Sequence, residues 1–180
     1  MPAPLAMHAA SRHRPTLLVM AGVSGSGKSS VGRRVADRLG WPFLDGDSLH
    51  SPANIAKMRA DQPLDDADRL PWLDAISRWM DARQAEGTSA VIACSALKQR
   101  YRDRLRHGHP DVQFIWLKVD RAELARRLDQ RTGHFMPAAL LASQLAAWEP
   151  PAPDEPVMTI PANGDLEATV RAVLAVARTV

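Results

Sequence analysis

The sequence predicts an α/β protein in which helices cover both faces of a five-stranded parallel sheet. Two observations support this fold. Five short apolar segments alternate with segments whose apolar residues recur every three or four positions, which is the spacing of a helix. A glycine-rich segment also stands between the first predicted strand and the first predicted helix. Such alternation favours parallel strands joined by crossover helices.

The chain opens on a predicted strand, helix and second strand. Thr16–Ala21 is almost continuously apolar, as is typical of a strand that is covered on both faces. Lys28–Leu39 has an apolar residue at every fourth position and is followed by Gly40, which predicts a helix that ends there. Pro42–Leu44 is the second short strand, and Asp45 closes it.

Residues 46–88 are predicted to form a helical insert between the second and third strands. A short helix is predicted around Ala53–Arg59, and a polar stretch follows it. Proline is favoured in the first turn of a helix, so Pro71 is expected to open a longer helix that ends near Gly87. The predicted buried stripe of this helix comprises Trp72, Ile76, Trp79 and Met80.

The second half of the chain continues the alternation. The remaining predicted strands are Ser89–Cys94, Val112–Val119 and Val157–Ile160. Asp120 is expected to cap the helix that contains Glu123, because an acidic residue three positions after the cap is a helix-start signal. The apolar stripes of the intervening helices contain Leu97, Tyr101 and Leu105, then Leu124 and Leu128, then Leu141, Leu145 and Trp148, and finally Leu166, Val170, Val173, Leu174 and Ala177.

Composition narrows the class of protein. A chain of 180 residues with 46% hydrophobic and 24% charged residues is globular and has the size of one domain, predicted over residues 16–180. No apolar run is long enough to span a bilayer, and a net charge of +3 is too weak to indicate a nucleic-acid partner. Cys94 is the single cysteine, and residues 1–15 lack a secretory signal. We therefore expect a cytoplasmic protein with a flexible extension over residues 1–15.

The strongest motif is the glycine-rich loop, residues 22–29, which fits G-x-x-x-x-G-K-[ST] at every fixed position. Its glycines allow backbone N–H groups to turn inward around a polyphosphate. Lys28 is expected to act in catalysis by placing its charge on the β and γ phosphates of ATP, and Ser29 is expected to hold Mg²⁺. The candidate nucleotide-binding residues are Gly22, Ser24, Gly25, Ser26, Gly27, Lys28, Ser29 and Ser30.

Two carboxylates and a histidine follow the second predicted strand. Ligands of open α/β sheets lie beyond the carboxyl ends of the strands, so Asp45, Asp47 and His50 are candidates for the site. Asp47 is assigned as the catalytic base that accepts the proton of an acceptor hydroxyl, and Asp45 as a metal ligand through water. The reverse assignment stays open. The third strand ends in Cys94-Ser95 rather than in an aspartate, which argues against a GTPase or a motor ATPase.

Basic residues follow the third and fourth predicted strands. Lys98 and Arg102 lie in the first turns after the third strand, where an anionic substrate needs cations. Arg127 and Arg131 are one helical turn apart and precede Gly133, which predicts an arginine-bearing lid over residues 126–137. The residues alone thus predict a kinase of a small, anionic, hydroxylated acceptor.

Several segments resemble the small gluconokinases of the shikimate-kinase-like group of nucleoside-monophosphate-kinase folds. Besides the glycine-rich loop, these are D-G-D-S-L-H at 45–50, D-R-L-P-W-L at 68–73, C-S-A-L-K at 94–98 and H-F-M-P at 134–137. The resemblance implies a three-layer α/β/α P-loop kinase with strand order 2-3-1-4-5. It also implies ATP-dependent phosphorylation of D-gluconate to 6-phospho-D-gluconate by a homodimer.

The same resemblance assigns roles to individual residues. Arg127 would lie near adenine, and Arg131 would be the catalytic arginine of the lid. The residues that would surround gluconate are Asp47, His50, Lys57, Lys98 and Arg102.

Two other functions stay open at this point. One is a kinase of another small anionic hydroxy compound, such as shikimate. The other is a non-catalytic nucleotide-binding switch or a nucleic-acid-associated ATPase, suggested by the arginine-rich stretch 100–106. That stretch contains no aromatic residue except Tyr101, so it offers little for stacking on bases, and we expect no nucleic-acid partner.

Overall fold

The computed structural model describes residues 14–130 and 138–177 of the chain. The strands are β1 (Leu17–Ala21), β2 (Phe43–Asp45), β3 (Ala90–Ala93), β4 (Val112–Lys118) and β5 (Val157–Pro161). The helices are α1 (Lys28–Leu39), α2 (Pro52–Arg59), α3 (Asp66–Ala85), α4 (Gln99–Arg106), α5 (Arg121–Asp129), α6 (Ala138–Ala147) and α7 (Leu166–Ala177). The strands form one parallel sheet in the order β2-β3-β1-β4-β5, which confirms the predicted order.

Strand β1 lies at the centre of the sheet, and all five of its residues are fully buried. Val19 of β1 stands beside Ile92 of β3 and Phe114 of β4. Apolar side chains of α3, α4, α5 and α6 pack on one face of the sheet, and those of α1 and α7 pack on the other. This arrangement confirms the three-layer α/β/α fold. It also explains the continuous apolar runs of the strands, since both of their faces are covered.

The first helix has the bounds that its sequence predicts. Its apolar residues Val31 and Val35 are buried against the sheet. The helix stops at Gly40, whose φ of 68° lies in the left-handed region that favours glycine. Because the helix begins directly at Lys28, its N-terminus is aimed at the glycine-rich loop.

The connection between β2 and β3 is helical, and its short predicted helix is confirmed as α2. The prediction that Pro71 opens the next helix is wrong. Helix α3 begins five residues earlier, because Asp65 and Asp68 form a capping box. In this box Asp65 Oδ1 accepts from the backbone N–H of Asp68 at 2.8 Å, and Asp68 Oδ2 accepts from the backbone N–H of Asp65 at 3.1 Å.

The buried face of α3 is close to the predicted one. Trp72, Ile76 and Met80 are buried, and Leu73 is buried with them. Trp79 differs, since it is only partly buried. Pro71 sits within the helix on its exposed side.

Asp120 precedes α5, but the predicted side-chain cap does not form. Its carboxylate instead accepts from Asn163 Nδ2 at 2.7 Å, and its backbone N–H donates to Asn163 Oδ1 at 2.8 Å. Asp120 therefore ties the end of β4 to the loop after β5, a partner 43 residues away that a local motif cannot reveal.

Two predicted segments fall largely outside the described residues. They are most of the N-terminal extension, residues 1–13, and the second part of the predicted lid, residues 131–137. Among the helices of the described ranges, none is both long and apolar enough to cross a membrane.

Candidate active site

The glycine-rich loop connects β1 to α1 and needs glycine for steric reasons. Gly22 has a φ of 149°, and a Cβ at this position would lie 2.6 Å from Ser26 Oγ. Gly25 and Gly27 have φ values of 83° and 93°, in the left-handed region. Side chains are thus excluded from a loop whose backbone must approach its ligand closely. Lys28 follows at the start of α1, and its Nζ donates to Val23 O within the loop at 3.0 Å.

Two cavities border the glycine-rich loop at the carboxyl ends of the strands, one towards β2 and the other towards β5. The β2-side cavity has a volume of about 650 Å³ and reaches residues that follow β2 and β3. The β5-side cavity has a volume of about 530 Å³ and reaches residues of α5 and of the loop after β5. Gly25, Gly27 and Ser30 line both cavities. Lys28, Ser29, Asp45, Asp47, His50 and Ser95 line the β2-side cavity.

The segment Asp45-Gly46-Asp47 is fixed against the neighbouring strand. A Cβ on Gly46 would lie 2.6 Å from Ala93 O of β3, so glycine is required for this close approach. Trp72 Nε1 donates to Gly46 O at 2.7 Å. Asp45 Oδ1 accepts from the backbone N–H of Asp47 at 3.2 Å. The Asp47 side chain is 69% exposed and lines the cavity, where a substrate hydroxyl can reach it.

His50 lies beside Asp47 and is held by its neighbours. Its side chain is only 6% exposed and stacks on Trp72 at a ring distance of 4.4 Å. Asn54 Nδ2 lies 3.3 Å from His50 Nδ1, and His50 Nε2 lies 3.9 Å from Asp47 Oδ1. Burial lowers the pKa of His50, and the nearby Asp47 carboxylate opposes that shift. The ring is therefore neutral at pH 7, and an Nδ1 that accepts from Asn54 places its proton on Nε2, facing Asp47.

Lys57 and Lys98, two of the predicted gluconate ligands, are paired with aspartates of α3. Lys57 Nζ contacts both carboxylate oxygens of Asp68 at 2.7 and 2.8 Å. Lys98 Nζ lies 3.0 Å from Asp66 Oδ1. The hydrogen bond from the Tyr101 hydroxyl, and next the one from Lys98, lower the pKa of Asp66 to about 2. Neither lysine is among the residues that line the cavity, so their contact with substrate stays a prediction.

Arg102, the other predicted substrate ligand of this region, is not among the residues that line either cavity. Its side chain is fully buried, with Nε 2.5 Å and Nη2 2.8 Å from the carboxylate of Glu155. Its Nη1 donates to the carbonyl oxygens of Ala96, Leu97 and Glu149. Arg102 therefore joins the loop after β3 to the proline-rich connection before β5, as a structural residue.

Arg127 lines the β5-side cavity next to the loop, on the predicted nucleotide side. Its Nη2 donates to Ala162 O at 2.6 Å, and its Nη1 donates to Ser26 O at 3.5 Å. Its Nε donates to Glu123 Oε1 at 2.7 Å. Hydrogen bonds from Arg126 and then Arg127 lower the pKa of Glu123 to about 2, so this carboxylate stays charged and holds Arg127 in place.

Arg131, the predicted lid arginine, lies outside the described residues. Other cavity residues were missed by the sequence reasoning. Gln144 of α6 lines the β2-side cavity, and its Oε1 accepts from the backbone N–H of Ser24 at 2.7 Å. Arg59 and Arg69 line the same cavity. Arg69 and Gln144 stand in or beside the family-like segments, so their position was the signal that could have found them.

The oxygen donors of the β2-side cavity fit a magnesium ion. Ser29 offers a hydroxyl, and Asp45 and Asp47 offer carboxylates, around one space. In the described ranges no group of three or more histidine, cysteine or acidic residues is arranged as a complete metal site. Protein sites usually hold Mg²⁺ through one or two side chains and complete its coordination with phosphate oxygens and water.

Comparisons with known proteins identify the family. Residues 17–151 match the family described as AAA domain. Gluconokinase of Gluconobacter oxydans (strain 621H) is 50% identical over 147 residues, which cover 82% of this chain and 83% of that protein. The chain belongs to the gluconokinase family.

Further relatives agree with this membership in the gluconokinase family. Thermosensitive gluconokinase of Escherichia coli (strain K12) is 44% identical and aligns over 88% of this chain and 87% of that protein. The crystal structure of a gluconokinase from Sinorhizobium meliloti 1021 superposes with a TM-score of 0.82 at 44% identity, covering 93% of this chain and 94% of that one. The match therefore extends beyond the shared phosphate-binding motif to nearly the whole chain.

Proposed function

We propose that this protein transfers the terminal phosphoryl group of ATP to D-gluconate, forming 6-phospho-D-gluconate. The observation that carries the proposal is the identity of 50% with a gluconokinase over 82% of the chain. The site supports it chemically, because Lys28 and Asp47 line one cavity at the carboxyl ends of the strands. Phosphoryl transfer to an alcohol needs a phosphate-binding cation and a carboxylate that receives the hydroxyl proton.

In this mechanism Asp47 accepts the proton of the gluconate 6-hydroxyl and orients the hydroxyl oxygen towards the γ phosphate. His50 Nε2 lies 3.9 Å from Asp47 Oδ1, and a small side-chain movement would let the neutral ring donate its Nε2–H to this carboxylate. Lys28 and the backbone N–H groups of the glycine-rich loop stabilise the charge that develops on the transferred group. These residues sit on rigid elements, since Gly46 and Trp72 fix the loop that carries Asp47.

Magnesium is proposed as the metal of this reaction. Ser29 and Asp45 would hold it, with Asp47 close by. When bound, Mg²⁺ neutralises phosphate charge and helps to orient the phosphoryl group.

The adenine end of ATP is proposed to enter the β5-side cavity. Arg127 lines this cavity beside the glycine-rich loop, and the loop after β5 supplies Ala162, Asn163 and Gly164 to its wall. ATP and gluconate would then meet at the glycines that line both cavities. The predicted lid arginine, Arg131, would add positive charge over the transferred group.

We also propose a homodimer in the cytoplasm. The dimer rests on the resemblance to gluconokinases, and the cytoplasmic location is supported by the single, buried thiol of Cys94. Light scattering during size-exclusion chromatography tests the assembly, and a mass of one 19.7 kDa chain would contradict it.

The decisive experiment is a coupled ADP-release assay with gluconate, other sugar acids and shikimate as acceptors. We expect the highest kcat/KM with gluconate, and a preference for another acid would refute the proposed substrate. In the Asp47→Asn variant, kcat should fall about 10²- to 10⁴-fold, which is the usual contribution of a general base, while ATP affinity is retained.

Asp37→Asn is the matched control for this substitution, because Asp37 is an exposed residue of α1 that lines neither cavity. It should retain full activity. Asp45→Asn tests the reverse assignment of the two aspartates. If Asp45→Asn lowers kcat at saturating Mg²⁺ while Asp47→Asn does not, Asp45 is the base.

A further inference from the structure

The β2-side cavity contains few cations that can meet an anionic substrate. In the described part of the chain, its lining includes three basic residues, Lys28, Arg59 and Arg69. Lys28 belongs to the glycine-rich loop and serves the phosphates. The other two lie away from that loop, on α2 and α3, and neither forms an ion pair within residues 14–130 and 138–177. The cavity therefore holds two arginine charges outside any ion pair of the described residues, with Asp45 and Asp47 as the carboxylates on its wall.

Arg69 is the better placed of these two arginines. It lies in the first turns of α3, a helix start fixed by the capping box. Its Nε donates to Leu64 O at 3.2 Å, and its guanidinium carbon lies 5.9 Å from the centre of the Tyr101 ring. With Nε engaged, the Nη1–Nη2 edge of the guanidinium is the part available to a ligand, and this planar edge matches a carboxylate. Arg59, in contrast, is an exposed residue in the last turn of α2.

The register of α3 links Arg69 to the proposed base. Trp72 is three residues further along, on the same side of the helix, and it binds Gly46 O and stacks on His50. The positions of Arg69 and Asp47 are therefore coupled through one tryptophan. The charge of Arg69 also contributes to the lowered pKa of His50, as expected for a cation that faces the same space.

We infer that Arg69 binds the carboxylate of the acceptor and thereby selects an acid over a neutral polyol. This inference rests on the proposed function. Gluconate carries its carboxylate and its 6-hydroxyl at opposite ends. Arg69 on α3 therefore binds the carboxylate, while Asp47 after β2 binds the 6-hydroxyl. Lys57 and Lys98 need no part in this contact, because Asp68 and Asp66 neutralise them.

The test compares Arg69→Gln with the matched control Arg78→Gln, which removes an equal charge from an exposed position of the same helix that lines neither cavity. Steady-state kinetics measure kcat and the KM values for gluconate and ATP. The uncharged amide of gluconate is then used as a competitive inhibitor. In Arg69→Gln we expect KM for gluconate to rise about 100-fold, the size of a lost charged, two-point contact, while KM for ATP and the Ki of the amide stay within about twofold. Arg78→Gln should change KM for gluconate less than about threefold.

Several outcomes overturn the inference. They are an unchanged KM for gluconate in Arg69→Gln, an equal weakening of gluconate and its amide, or a larger effect of Lys57→Gln than of Arg69→Gln. A wild-type protein that does not phosphorylate gluconate would instead refute the proposed function, so the two failures are distinguishable. The unchanged Ki of the amide also shows that the variant keeps its folded site.

Discussion

Replacing Glu155 with glutamine should destabilise the fold by about 3 kcal/mol at neutral pH, by leaving Arg102 buried without its counter-charge. Arg102 has a side-chain exposure of 0% and Glu155 of 3%, so solvent cannot replace the lost charge. Hydrogen bonding to Arg102 is the largest cause that lowers the pKa of Glu155 from 4.5 to about 2. That difference corresponds to about 3 kcal/mol, since a tenfold change in an ionisation constant equals about 1.4 kcal/mol. Breaking a buried ion pair elsewhere costs a similar amount, about 3–5 kcal/mol.

The assay is reversible urea or thermal unfolding followed by circular dichroism at several pH values. For a chain of this size, 3 kcal/mol should lower the melting temperature by about 6–12 °C. The folded pKa of Glu155 is depressed, so its contribution is fully present above the unfolded value near 4.5 and is lost as the pH falls towards about 2. The difference between wild type and Glu155→Gln should therefore shrink across that acid window.

Asp154→Asn is the control, because Asp154 is the exposed neighbour of Glu155 and its substitution removes the same charge. We expect it to change the melting temperature by less than about 2 °C. The reasoning is refuted if Glu155→Gln unfolds like Asp154→Asn, or if the gap between Glu155→Gln and wild type does not depend on pH below 4.5.

Two other predictions follow from close packing around the site. Gly46→Ala should cost about 1–3 kcal/mol of stability and lower kcat, because its Cβ would lie 2.6 Å from Ala93 O and displace the aspartates on either side. Gly164→Ala, where a Cβ meets no atom within 4 Å, should keep wild-type stability, and equal melting temperatures for the two variants would contradict the steric argument. Cys94 should resist thiol reagents at pH 8 in the native protein, because burial raises its pKa to about 12, and it should react once urea unfolds the chain. Rapid labelling of the native protein would show that this thiol is accessible.

Local signals predicted the fold and the placement of the glycine-rich loop between β1 and α1 well. The glycine-rich loop and helix α1 are contiguous in the sequence, so their motif contains all of the needed information. The strands could be recognised in the sequence as apolar runs because both faces of the sheet are covered. Pro71 alone predicts too late a start for helix α3, because the capping box of Asp65 and Asp68 determines where this helix begins.

Contacts between distant segments could not be predicted. The spacing of Lys98, Arg102 and Arg106 indicates one helix face, but it cannot reveal that Glu155 neutralises Arg102 from 53 residues away. The pairing of Asp120 with Asn163 was missed for the same reason. The proposed role of Arg69 could not be predicted either, because it depends on which basic residues of the folded chain form ion pairs with carboxylates.

In the proposed function, the acceptor and the nucleotide occupy separate cavities that meet at the glycine-rich loop. Apart from the glycine-rich loop and the start of α1, the β2-side cavity is lined by residues 45–95 and by Ser143 and Gln144. The β5-side cavity is lined by residues 123–130, the loop after β5 and the start of α7. Gly25 and Gly27, which line both cavities, have no side chains that would need to match the residues of either cavity. With this layout, substitutions in the connection between β2 and β3 would alter the proposed acceptor cavity. The proposed nucleotide cavity would stay unchanged. On the proposed division of roles, a new acceptor preference would therefore require substitutions mainly in this one crossover.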